Sequence, residues 1–432
     1  MTATIEQTDV WFPGFGESEF SNLIAGCGEQ DAAARKVAFD RYRLCPVPTL
    51  RDEEWRRTDP DRIPFAGMKR LEGLDRAADP DRNDLDQAFD LVISISDRGY
   101  AITDRTGILA EGKAQVCPLS QMPADALGTY LHGEAVLEAN RKYTQLNGAF
   151  WNVGFFIRIP ANQVLAHGIL IRYEHTTPGS ILLPRLVVVA EAGSVAKVVE
   201  WYQSPDDVKL LCVGARELYV REAARLTVQA VQEWGVASTH VGEDWARVEK
   251  DGQIDWVTLT LGSGFSKMMV GCDVAEANAN AYLSGLFFAN EHQHIDQRTL
   301  QKHSAPHTYS NLLYKGAVKD SGHSVYQGVI AAAPGAIGVD AYQMNNNLIL
   351  NTGARADSLP GLMIDADDLK CSHGATMGNI DPHQLFYLQS RGFSEVEARR
   401  MLVLAFFEEI IAKLNDSFLE DRIRADVNRK IG

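Results

Sequence analysis

From about residue 150 to 365 the chain runs through short apolar or alternating segments, among them NVGFFIRI, ILLPRLVVVAE, VAKVVEWY, LTVQAVQEW, DWVTLTLGSG and NLILNTG, with no helical pattern between them. Gly, Asn, Asp or Pro stands at most junctions, the pattern of consecutive strands and turns. A doubly wound parallel sheet needs helical crossovers, and this stretch has none. The choice narrows to a sandwich or a stacked solenoid. In DVAEANANAYLSG, Ala275, Ala277, Ala279, Ala281 and Leu283 alternate with Glu276, Asn278, Asn280 and Tyr282, so one face carries almost only methyl groups. A face that thin suits the narrow interior of stacked coils, with asparagine and glycine at the corners. The expected fold is mainly β with a parallel β-helix core, although no fixed-length repeat is visible.

The flanks differ from this core. Residues 31–43, DAAARKVAFDRYR, read as a helix stopped by Cys45-Pro46-Val47-Pro48, and LRDEEWRRT reads as a second short helix. Residues 59–88, rich in Asp, Arg and Pro, read as an exposed linker or irregular segment. FDLVISISDRGYAITD, 89–104, predicts strand, tight turn and strand, and helical patterning returns over 124–146. Near the other end, Asp381-Pro382 opens a helix that stops at Gly392, and Ser394 with Glu397 forms a capping box for the next. That helix, running to about Leu414, carries Met401, Leu402, Ala405, Phe406, Ile410 and Leu414 as an apolar stripe, and Leu419, Ile423, Val427 and Ile431 line a third. The organisation predicted is a mixed N-terminal α/β region over 1–150, the β-helix core over 151–368 and a C-terminal helical domain over 369–432.

A length of 432 residues suits two or three structural units. Forty-two basic against 57 acidic residues give a net charge of -15, which argues against nucleic acid or anionic lipid as a partner. The six cysteines stand singly at 27, 45, 117, 212, 272 and 371, so neither a disulfide scaffold nor a site built from Cys-x-x-Cys pairs is expected. No apolar run reaches membrane-span length, and MTATIEQTDVWF lacks the basic and apolar regions of a signal peptide, which makes the cytoplasm the expected location. Gly262-Ser263-Gly264 has no following helix and no Walker motif occurs, so an ATP-driven role would have to borrow its ATPase.

Seven of the eleven histidines fall between 292 and 383. His292 and His294 would share a face on a strand, the geometry of two ligands on one metal, while the plainer reading of each is a hydrogen-bonded corner residue. Cys371 and His373, in DLKCSHGATMGNID, offer a soft and a borderline ligand among small residues. Asp365, Asp367 and Asp368 upstream would raise the thiol's pKa and argue against an activated nucleophile. Two ligands make half a site, so a metal held here needs partners from elsewhere in the fold or from a second chain.

The run LPGLMIDADDLKCSHGATMGNIDPHQLFYLQSRGFSEVEARRMLVLAFFEEII, with HSAPHTYSNLLYKGAVKDSGHSVYQGVI and GVDAYQMNNNLIL before it, resembles the signature of the SufB/SufD family, scaffold proteins of the SUF iron-sulfur cluster assembly system. The likeness covers most of 260–411, and PTLRDEEWRRTD resembles a segment that SufD-type members carry after their first helix. Length, this segment, and the lack of a cysteine near VAKVVEWYQS, where SufB would carry one, place the resemblance on the SufD side. It implies a right-handed parallel β-helix between helical regions, pairing with SufB through the β-helices, and docking of the SufC ATPase by the C-terminal helices. It also implies a non-catalytic scaffold holding a transient iron-sulfur cluster or iron at the partner interface, with nothing stably bound to the isolated chain. The family's interface histidine matches His373, and Cys371 matches the motif's cysteine position. Self-pairing as a homodimer in isolation is left open, and the alternative reading is a metal-dependent all-β enzyme built on His292 and His294.

Overall fold

The computed structural model describes residues 11–74, 76–78, 83–131 and 142–432. Among these residues two long walls of strands, 11 in one sheet and 10 in the other, form a β-solenoid whose coils stack in parallel, with Gly99–Asp104 and Gln115–Pro118 added antiparallel at the ends. On the first wall Leu211 pairs with Thr239, Thr239 with Phe265, Phe265 with His294, His294 with His323 and His323 with Arg355. On the second, Val195 leads through Arg225, Gln253, Asn280, Tyr309 and Asp340 to Lys370. Successive returns take from 26 residues, Thr239 to Phe265, to 32, His323 to Arg355. That variation hides the repeat from a search for a fixed period.

Alternation along each strand fills the interior. Trp256, Leu283 and Leu312 stack in register as one buried column. The alanine stripe turns a corner instead of lying on one strand. Ala275 and Ala277 are half-buried in the turn, Asn278 takes φ +61° at the bend, and Ala279, Ala281 and Leu283 enter the core. Asp251, Asp320 and Asp368 take the same left-handed conformation at other corners, the region that Asn and Asp tolerate best among residues with a Cβ. One interior layer is ionic: Arg216 donates to Asp244 at 2.8 Å and pairs with Glu200, with Tyr202 beside them.

The strand, turn and strand predicted at 89–104 are the antiparallel pair Leu91–Ser96 and Gly99–Asp104, and Leu91–Ser96 also joins the second wall in parallel. Gly99 is required there, since a Cβ would stand 2.3 Å from the Arg76 carbonyl. The helix Glu29–Leu44 packs with Lys142–Phe150, and Phe20, Phe39, Tyr42 and Phe150 stack between them. LRDEEWRRT is not a helix. Three consecutive turns, closed by Asp52 N to Thr49 O, Trp55 N to Asp52 O and Thr58 N to Trp55 O, bury Trp55 against Tyr143. The described part of 59–88 is irregular, as one of the two readings has it, but it is not an exposed linker, because Ile63, Phe65, Leu74 and Leu85 are buried and Lys69–Arg70 pairs with Ser180–Ile181. The helical pattern over 124–146 resolves into Ala124–Tyr130 and the start of Lys142–Phe150, and residues 132–141 of it lie outside the described part.

At the C-terminal end the caps are as expected. Asp381 accepts from His383 N, Ser394 and Glu397 form a reciprocal box, and Gly392 has φ +99°. The helices Glu395–Ile411 and Ser417–Ile431 cover the outer face of the second wall. The stripe of the first is rotated from the predicted one: Val403, Phe407, Ile410 and Ile411 are buried, whereas Met401 and Ala405 are exposed. Leu419, Ile423 and Val427 are buried as predicted. The helix Pro382–Ser390 buries none of its residues. The wall itself runs on beyond residue 368, through the strand Lys370–Asn379. No helix among the described residues is long and apolar enough to cross a membrane.

Candidate functional site

The solenoid ends in the strands Arg355–Ile364 and Lys370–Asn379, the outermost of their walls, each with one paired neighbour among the described residues. Lys370–Asn379 pairs with Asp340–Ile349 so that Cys371 stands on Ala341, His373 on Gln343 and Ala375 on Asn345. Ala341, Gln343 and Asn345 are buried, so the odd-numbered side chains of the last strand face the same interior side. With no coil above them, Cys371 is half-buried and His373 exposed. Small residues permit the close stacking: a Cβ on Gly374 would approach Met344 Cε to 2.8 Å. Thr376 Oγ1 donates to Asn346 Oδ1 at 2.7 Å, and the Asp368 carbonyl accepts from Gly338 N at 2.8 Å, which fixes the corner before the strand.

Burial, and then the Asp340 carboxylate, push the Cys371 thiol up. The neighbours Asp365, Asp367 and Asp368 are not the cause, because the chain turns at Asp368 and the strand carries Cys371 over to Asp340's coil. Burial likewise raises Cys27, Cys45, Cys212 and Cys272, and Cys117 to about 11. None of the six thiols is activated as a nucleophile. Cys371 becomes a ligand only where a metal displaces its proton. No hydrogen bond or ion pair among the described residues holds the His373 ring, so its nitrogens are available at the edge.

The histidine cluster does not assemble as expected. His292 is exposed in the turn before the strand His294–His303, so His292 and His294 do not share a strand face. His294 instead meets His323 of the next coil, their Nδ1 atoms 3.1 Å apart. The signal in the sequence would have been the 29 residues between them, one coil, as the pairing of His294 with His323 shows. His303 is a satisfied core residue, bonded to Thr308 and Ser310, and burial lowers its pKa to about 4. Among the described residues no group of three or more His, Cys, Asp or Glu is gathered for a metal ion. Cys371 and His373 can therefore give at most two ligands of a larger set.

The surroundings of this half-site are apolar and exposed. Met363 is 64% exposed on one edge strand, Met377 is exposed on the other, and Phe386 on the following helix is 71% exposed. Exposed edges and apolar side chains are features that association surfaces share. The strand Val195–Gln203, which has no cysteine, contributes Glu200 to the interior ion layer instead.

The chain is similar to known proteins over most of its length. The family described as SUF system FeS cluster assembly, SufBD core domain, matches residues 173–406. An iron-sulfur cluster assembly SufBD family protein of Mycobacterium tuberculosis is 32% identical over 399 residues, 89% of each chain. The iron-sulfur cluster assembly protein SufD of Escherichia coli is 30% identical over 239 residues, 55% of this chain and 56% of its own. A SufBD family protein of Staphylococcus epidermidis is 27% identical over 277 residues, 64% of this chain and 60% of its own.

Proposed function

The chain belongs to the SufBD family of the SUF iron-sulfur cluster assembly system, and from that premise we propose that it is a cytoplasmic, SufD-type scaffold subunit without turnover of its own. It pairs with SufB through the end of the β-solenoid and presents His373, with Cys371 beside it, where iron and sulfide are joined. One observation carries this reading. The incomplete ligand set and the unpaired sheet edge fall on the same strand, Lys370–Asn379, so a second chain that extended the edge would bring the missing ligands with it. The cluster is cargo, held while the two chains are together and released from the pair. The helix Pro382–Ser390, none of whose residues is buried and whose Phe386 and Tyr387 are exposed, supports the C-terminal helices as the docking surface for the SufC ATPase.

Co-expression with SufB and SufC tests the reading. SufB and SufC should copurify with the chain, and His373→Ala should abolish reconstituted cluster while the complex still forms. An unchanged cluster yield in that variant would remove His373 from the mechanism, and failure of SufB to copurify would remove the shared interface.

A further inference from the structure

Two histidines that the assembly role leaves unused meet on the outer face of the first wall. His294 and His323 occupy the same register position on successive coils. Their Nδ1 atoms lie 3.1 Å apart with the rings at 74° to each other. Each ring's remote nitrogen is held by an oxygen: His294 Nε2 is 3.0 Å from Thr58 Oγ1, and His323 Nε2 is 2.8 Å from Asp357 Oδ2. The bonds have one consistent direction. Thr58 donates its only proton to Asp296 Oδ2 at 2.5 Å, an oxygen that also accepts from Lys267 Nζ, so Thr58 must accept from His294 Nε2–H. That leaves the His294 Nδ1 lone pair aimed at His323, whose own Nε2–H is given to Asp357. A single cation then belongs between the two Nδ1 atoms.

We infer that His294 and His323 form a binding site for one divalent d-block ion of the Zn2+ or Fe2+ type, which takes the place of the proton shared by the two Nδ1 atoms. Two nitrogens each about 2.1 Å from a metal, at tetrahedral to octahedral angles, stand about 3.0–3.4 Å apart, and the observed separation lies in that interval. Ligating histidines have their remote nitrogens fixed by oxygen partners, and both rings here meet that condition. Imidazole donors select d-block ions over Mg2+ or Ca2+. The His323 side chain is 24% exposed, which leaves a route for the ion and a side open to solvent. Asp296 and Asp357 offset the nearby cations Lys267, Arg62 and Arg355. The ion would tie the turn segment at Thr58 to the last coil at Asp357. The site is separate from Cys371 and His373, which stand on the other wall.

The test uses the full chain carrying Cys371→Ser and His373→Ala, so that the edge site cannot contribute, after removal of metal with chelator. Titration with Zn2+ by calorimetry, and with Co2+ by visible absorption, should show one equivalent bound. His323→Ala should weaken that binding at least tenfold, His292→Ala should not change it, and added Zn2+ should raise the melting temperature of the parent but not of His323→Ala. If His294→Ala fails to fold, the half-exposed His323→Ala still decides. No binding to the parent, or equal binding in His323→Ala, would mean that the pair shares only a proton. Neither result depends on partner binding or on cluster yield, so this site and the scaffold role can fail separately.

Discussion

His373 stands directly on Gln343 in the register of the last two coils, an exposed imidazole above a wholly buried amide. The ring has no hydrogen-bond or ion-pair partner among the described residues, so its removal leaves nothing unsatisfied. His373→Ala should change the unfolding free energy by no more than about 0.5 kcal/mol, as surface substitutions do. Cys371 differs, since it stands on Ala341 and packs against the apolar cluster of Ile330, Ala332, Ala336, Val339 and Ala341. Cys371→Ser places a hydroxyl among methyl groups and should cost about 1 kcal/mol. Urea denaturation of the two variants checks both values. A destabilised His373→Ala would mean that any loss of cluster in that variant reports folding.

Docking of the helix Ser417–Ile431 depends on pH through two buried groups. Burial and the adjoining Asp426 carboxyl push Glu233 from its ordinary 4.5 up to about 8, and burial pulls Lys430 from 10.5 down to about 7. Between about 4.5 and 8 the folded chain keeps a proton on Glu233 that the unfolded chain has lost, so this group's stabilisation falls as pH rises through that window. Between about 7 and 10.5 the unfolded chain carries a proton on Lys430 that the folded chain lacks, so stability rises with pH there. Each slope reaches at most about 1.4 kcal/mol per pH unit. The expected outcome is that Glu233→Gln flattens the decline between pH 5 and 8. Urea midpoints measured across that range for both proteins decide it, and an identical slope would contradict the assignment.

What could be read in the sequence was local, and what could not was set by packing at a distance. The caps at Asp381, Gly392 and Ser394 with Glu397 depend on residues within one helical turn, and each forms as its pattern indicates. The stripe on Glu395–Ile411 was ambiguous because Met401 through Phe407 are apolar without interruption, and only the wall beneath, with Phe288 and Leu286, selects Val403 and Phe407 as the buried face. LRDEEWRRT has helical composition, yet burial of Trp55 on Tyr143 holds it as turns. The pairing of His323 with His294 is hidden in the sequence because neighbours in a solenoid are one coil apart and the coils vary in length. For the candidate site, the motif around Cys371 and His373 was recognisable, whereas its position on an edge strand is a property of topology that no short pattern contains.

The interior ion layer should be sensitive to loss of its cation. Arg216 faces Asp244 and Glu200 with almost no exposure to solvent, and burial in this layer lifts Asp244 to about 6 despite the arginine. Arg216→Met would leave two carboxyls buried without a counter-charge and should destabilise by about 3–5 kcal/mol. Adding Glu200→Gln and Asp244→Asn removes those charges and should recover part of the loss, a non-additive result that a thermal melt of the single and triple variants would reveal. Equal destabilisation in both would place the effect in lost packing, not in charge.

The edge strands supply the last prediction. Met363 on Arg355–Ile364 and Met377 on Lys370–Asn379 are exposed on strands whose outer sides have no partner among the described residues. Charged side chains are the usual means by which edges resist pairing, because a lysine brought against an apposed strand must lose its hydration. Met363→Lys with Met377→Lys should therefore leave the isolated chain's unfolding free energy within about 0.5 kcal/mol. The same change should weaken association through this end at least tenfold, whether the partner is SufB or a second copy. Sizing over a dilution series, with and without SufB, separates the two effects. Association that survives the double substitution unchanged would move the interface away from the last coil.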